Sequence, residues 1–124
     1  MNLLLVDTAG PVVGLAAFAG DSAVHVASAR VASGTEAWLG EHVGTALERL
    51  GALDRVAVTV GPGAFTGIRV GVAAALGVAF ARRVPVAPLS SLALRACLAP
   101  GQPRVLALLD ARKGKVYAGW FDTR

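Results

Sequence analysis

Hydrophobic positions come first in short runs broken by turn residues, and later at helical spacing. Leu3 to Val6 is a short apolar run of the kind a buried strand carries. Asp7-Thr8-Ala9-Gly10 supplies turn chemistry, and Pro11 to Phe18 reads as a second strand completing a hairpin. Gly20-Asp21 is another turn signal, before a third strand over Ala23 to Val31. Ser33-Gly34-Thr35-Glu36 has capping-box spacing and predicts a helix start. Leu39, Val43, Ala46, Leu47 and Leu50 then fall on one helical face, and Gly51 ends the helix. Asp54 to Val60 predicts a fourth strand. A second helix runs from about Gly67 to Arg83, its terminal arginines suiting the negative end of the helix dipole. Val84-Pro85 stops it, Pro85 to Leu89 predicts a short fifth strand, and Ser90 or Ser91 caps a short helix through Cys97 and Leu98.

These elements predict an α/β fold with a mixed five-stranded sheet in the order 3-2-1-4-5, antiparallel through the first three strands and parallel beyond. Pro100-Gly101-Gln102-Pro103 reads as a linker. After it, Arg104 to Asp110, a turn, and Val116 to Phe121 copy the start of the chain: Leu3 matches Leu106, Leu5 matches Leu108, Asp7 matches Asp110 and Phe18 matches Phe121. A duplicated hairpin predicts two domains, residues 1–102 and an opening hairpin over 103–124. On this reading the chain is a fragment of a longer protein.

Between the fourth strand and the second helix lies Gly61-Pro62-Gly63-Ala64-Phe65-Thr66-Gly67-Ile68-Arg69-Val70-Gly71. Thr66 is a fair N-cap, and a glycine turn opening a helix can hold an anion. The stretch misses the P-loop by one residue and a lysine, and Thr66 stands where the dinucleotide fingerprint has its third glycine. On the local pattern alone, a tight strand-to-helix turn with no ligand is the plainer reading. Along the helix Gly67, Gly71, Ala75 and Ala79 recur every four residues, with Ala74 and Val78 beside them. Such a stripe admits a close neighbour, either the chain's own sheet or a partner helix. The first helix, with Trp38, Leu39, Val43 and Leu47, could lie beside it, and two such pairs would make a four-helix contact.

Composition narrows the chemistry. Of 124 residues 55% are hydrophobic and 16% charged, which argues against disorder. The net charge of +4 rests on scattered arginines, a weak signal for nucleic acid. Cys97 is the single cysteine, excluding an internal disulfide and Cys-rich zinc motifs, and the chain reads as cytoplasmic. The run from Val70 to Ala81 is too short to span a membrane. His25 falls on a strand and His42 on a helix, without metal-ligand spacing, so no metal is expected. Ser90, Ser91, Thr66 and Cys97 have no recognisable base, so peptidase activity is rejected and no catalytic residue is expected.

Three segments carry a family resemblance: Asp7-Thr8-Ala9, the Gly61–Gly71 stretch, and Leu109-Asp110-Ala111-Arg112-Lys113-Gly114-Lys115-Val116-Tyr117. Together they resemble the bacterial TsaB (YeaZ) family, with Ala64 the one departure in the glycine segment. The resemblance implies an RNase-H-like, actin/Hsp70-like fold in two tandem domains. It implies a non-catalytic dimerisation or scaffold subunit in threonylcarbamoyl modification of the adenosine next to the tRNA anticodon. It implies a TsaD-like catalytic paralogue and a TsaE-like ATPase as partners, a homodimer when alone, and only indirect contact with tRNA. It places the partner interface at Trp38, Val43, Gly67, Gly71, Ala74, Ala75 and Val78. The wider superfamily holds a nucleotide between its two hairpin turns, which would put a weak or vestigial site at Asp7, Thr8, Gly61, Gly63, Thr66 and Asp110. A nucleotide-binding phosphotransferase or ATPase is therefore the alternative, though Arg112, Lys113 and Lys115 depart from the small residues usual in the second turn.

Overall fold

The computed structural model describes residues 1–123. Strands β1 (Asn2–Asp7), β2 (Val12–Ala19) and β3 (Ser22–Arg30) precede helix α1 (Thr35–Leu50). Strand β4 (Arg55–Gly61), helix α2 (Phe65–Arg82), strand β5 (Val86–Ser90) and short helix α3 (Ser91–Ala96) follow. Strands β6 (Arg104–Arg112) and β7 (Lys115–Asp122) end the described chain. The main sheet has the order β3-β2-β1-β4-β5. Strands β1–β2 and β2–β3 are antiparallel, while β1–β4 and β4–β5 are parallel, as the sequence predicts. Strands β6 and β7 form a separate two-stranded sheet.

Period-two alternation decides which face of the sheet takes the helices. Leu4 and Val6 of β1, Leu15 and Ala17 of β2, and Val56 and Val58 of β4 point to one side. There they pack on Leu39, Ala46 and Leu50 of α1 and on Ala75 and Ala79 of α2. Helix α2 is apolar on every side, yet only Gly71, Ala75 and Ala79 are buried. The four-residue stripe therefore faces the chain's own sheet. The close approach is enforced at Gly71, where an added Cβ would overlap the buried Thr8 hydroxyl. Across the helix, Phe65, Leu76 and Phe80 are exposed, Phe80 at 88%.

Two caps differ from the sequence expectation. The N-cap of α1 is Gly34 at φ 81°, with no side-chain bond, so the capping box does not form. The N-cap of α2 is Ala64, and Thr66 is its second helical residue. Helix α2 thus starts before Gly67 and has 18 residues. It is long and apolar enough by length and composition to cross a membrane, which revises the shorter span read from the apolar run. It meets the sheet along one side only, the side of Gly71, Ala75 and Ala79.

Helix α3 joins the two sheets. Ser90 caps it, accepting a bond from the Ala93 N–H at 3.2 Å. Leu92 and Ala96 pack on Ala107 and Leu109 of β6, with Phe121 of β7 alongside. The opposite face of the hairpin carries Leu106, Leu108, Val116 and Trp120, all exposed.

The glycines in these helices separate into packed and open positions. A Cβ at Gly44 of α1 meets nothing within 4 Å. Gly44→Ala is expected to raise stability by about 0.5–1 kcal/mol, and Gly71→Ala to lower it by about 1–3 kcal/mol, in denaturant unfolding.

Candidate functional site

Strand β1 delivers consecutive side chains to opposite faces of the sheet, and that alternation builds the site. Asp7 lies on the face away from α1 and α2. Its Oδ1 accepts the Thr59 hydroxyl at 2.8 Å and the Ala9 N–H at 3.2 Å. The second bond is an Asx-turn, made by an aspartate to the backbone two residues on. Asp110 repeats it: its Oδ1 accepts the Arg112 N–H at 2.8 Å. The paired aspartates are thus equivalent in geometry, and both shape turns.

Thr8 points the other way, into the helix layer, and is 1% exposed. Its hydroxyl donates to the Gly67 carbonyl at 2.6 Å. The Ala64 N–H donates to the Ala9 carbonyl at 2.8 Å. A Cβ at Gly63 would overlap the Ala9 carbonyl oxygen, and one at Gly67 the Thr8 carbonyl oxygen. The glycine stretch is therefore a seat for the first hairpin turn. Close approach of backbone to backbone requires its glycines, and the Ala64 donor is spent inside the chain.

What remains open is a cleft of 680 Å³ between the first turn, the glycine stretch and the β6–β7 turn. Thr8, Gly63, Thr66 and Asp110 line it, so four of the six expected nucleotide-site residues are brought together. Asp7 and Gly61 do not line it, because Asp7 is engaged with Thr59 and Gly61 lies at the end of β4. Arg112 adds a cation to the wall. Arg112 and Lys113 hold left-handed backbone angles, φ 64° and 53°, which non-glycine residues adopt at a cost. Among the described residues no group of three His, Cys, Asp or Glu side chains is placed to hold a metal.

A second concavity, a groove of 760 Å³, runs between α1 and α2. Val43, Ala74 and Val78 line it, joined by Leu39, Ala73 and Gly77. Gly67, Gly71 and Ala75 do not, which corrects their placement on a partner face: the sheet and Thr8 already occupy that side. Trp38 is half-buried and tilted against the His42 ring at 4.6 Å between centroids, outside the groove. The spacing of the sequence missed one cluster, His25 on β3 against His42 on α1 at 3.0 Å.

A family model described as TsaD, tRNA N6-adenosine threonylcarbamoyltransferase, matches residues 35–122. The tRNA threonylcarbamoyladenosine biosynthesis protein TsaB of Escherichia coli strain K12 is 43% identical over 77 residues, 60% of this chain and 32% of that protein. The chain belongs to the TsaB/YeaZ family. The Bacillus subtilis strain 168 protein of the same name is 34% identical over 71 residues, 56% of this chain and 31% of that protein. Among solved structures, YeaZ from Pseudomonas aeruginosa superposes with a TM-score of 0.85 at 32% identity, over 99% of this chain and 61% of that one. The TsaB-family chain thus spans under two thirds of that structure's length, and the matched segment about a third of the curated relatives. RuvC of Thermus thermophilus, with a TM-score of 0.56 and 19% identity over 79% of this chain and 69% of that one, shares the RNase-H-like fold alone.

In this TsaB-family chain Thr8 joins turn to helix. Thr8→Val removes the donor to the Gly67 carbonyl while keeping the shape. It is expected to cost about 1–3 kcal/mol in denaturant unfolding, with an unchanged m-value, and Thr8→Ser to keep the bond.

Proposed function

We propose that this chain serves tRNA threonylcarbamoyladenosine synthesis as a non-catalytic subunit, which holds a TsaD-like enzyme through the α1–α2 face. The observation that carries the reading is the outward side of α2. Phe65, Leu76 and Phe80 are exposed there beside the apolar groove, on a helix whose other side is already packed. A helix apolar all round is covered on more than one side in a finished assembly. The partner is argued from the family match, which spans 35–122 and so includes both helices. A TsaD-like protein related over that span offers a corresponding helix pair, and two such pairs pack as a four-helix contact. A second copy of this chain presents the same face and would compete for it.

The cleft supports a second reading, nucleotide binding between the two hairpin turns. Four of the residues suited to it line that space. The Thr8 hydroxyl and the Ala64 N–H are already bonded within the chain, which leaves Asp110 and Arg112 as its charged groups.

Ala73 is exposed at the groove and outside the core, so it is the residue to probe, rather than the buried Ala75. Ala73→Glu is expected to weaken capture of the cognate TsaD-like protein by at least about tenfold, without lowering the melting temperature. Undiminished capture would refute the interface. Calorimetric titration with magnesium and ATP checks the second reading, and micromolar binding would support it.

A further inference from the structure

Outside both concavities lies a contact that neither reading uses. His25 Nε2 and His42 Nδ1 stand 3.0 Å apart. The ring planes differ by 21° and the centroids are 5.3 Å apart. That separation is the N···N distance plus the two distances from ring nitrogen to ring centre. The rings therefore meet edge to edge, nitrogen facing nitrogen, rather than face to face. One nitrogen donates its N–H and the other accepts it. Trp38 packs on the His42 ring, and the Arg49 guanidinium donates to the Val24 carbonyl at 3.0 Å beside His25. β3 is the edge strand of the main sheet, so this pair and Arg49 tie α1 to its outermost strand.

We infer that the His25–His42 contact is a proton-responsive latch, which keeps α1 on β3 while at most one ring is charged and opens when both are. In the neutral pair a single N–H lies between His25 Nε2 and His42 Nδ1, carried by one nitrogen and accepted by the other. One added proton on an outward-facing nitrogen of the pair leaves this bond intact, now charge-assisted. A second proton must displace the bond between the two facing nitrogens, which stand 3.0 Å apart, and sets two like-charged rings against each other. Burial, then Arg49, then His42 hold the His25 imidazole below its ordinary value of 6.5. The charged groups on α1 are Glu36, Glu41, Glu48 and Arg49, all exposed. Strand β2, paired with β3 on its other side, carries no titratable residue. A metal fits less well: tetrahedral zinc needs lone pairs that converge off the N···N line and further ligands, and no third donor stands there among the described residues.

The sign follows from linkage. His25 has its folded value lowered, so its contribution is full above about 6.5 and is lost as pH falls toward the folded value. The latch stands whether or not the groove takes a partner, because its readouts lie within this chain. Nitrogen-detected NMR of the imidazoles tests it directly. The expected result is one N–H shared between His25 Nε2 and His42 Nδ1, and a His25 step coupled to its neighbour and below the ordinary histidine range. Two independent titrations near about 6.5 would overturn it. Thermal melts between about pH 8 and about pH 5 supply the second readout. The wild type is expected to lose on the order of a few °C more than the double variant His25→Gln, His42→Gln. Equal losses would overturn the latch, as would zinc stabilisation that the double variant abolishes. Should that variant not fold, the wild-type titration decides.

Discussion

The backbone of Thr8 and Ala9 lies directly against α2, and the rest of the fold depends on that contact. It sets how deep α2 sits on β1 and β4. It fixes the first hairpin turn, and so the mouth of the cleft. Gly63, Gly67 and Gly71 each stand where a Cβ would strike residue 8 or 9. Overpacking is resisted by a backbone carbonyl at Gly63 and Gly67, and by the buried Thr8 side chain at Gly71. Two hydrogen bonds, from Thr8 to Gly67 and from Ala64 to Ala9, hold the register.

That constraint changes the meaning of the most motif-like stretch in the chain. Read as sequence, glycines ahead of a helix suggest an anion cradle. In the structure they receive another part of the protein. The turn aspartates behave alike: Asp7 and Asp110 each hold the backbone two residues on. Residues that resemble ligand chemistry are here largely engaged in folding, and the cleft keeps a modest set of charged groups, Asp110 and Arg112 chief among them.

Much of the fold was legible because its signals are local. Short apolar runs at β1, β2 and β4, with Gly and Pro punctuation, marked strands and their boundaries, and the sheet order followed. The phase of α2 was not legible, because a helix apolar on all sides carries no record of which side is inward. The stripe of small residues could belong to a sheet or to a partner, and only packing against Thr8 decided it. The caps of α1 and α2 were misread because Gly34 and Ala64 close the helices by backbone geometry, leaving Ser33 and Thr66 unused as caps. The histidine pair was invisible for another reason: residues 25 and 42 sit on different elements, and spacing encodes no contact across a strand and a helix.

Helix α2 keeps a packed side and an open side on opposite faces of one cylinder. The inward side tolerates almost no change, since even a methyl group at residue 71 has nowhere to go. The outward side touches nothing in this chain at Phe80, and Gly77 has open space around it. Substitutions can therefore accumulate at 73, 76, 77 and 80 without reaching the fold. A lineage carrying this domain is free to change that outward surface while leaving how it folds untouched.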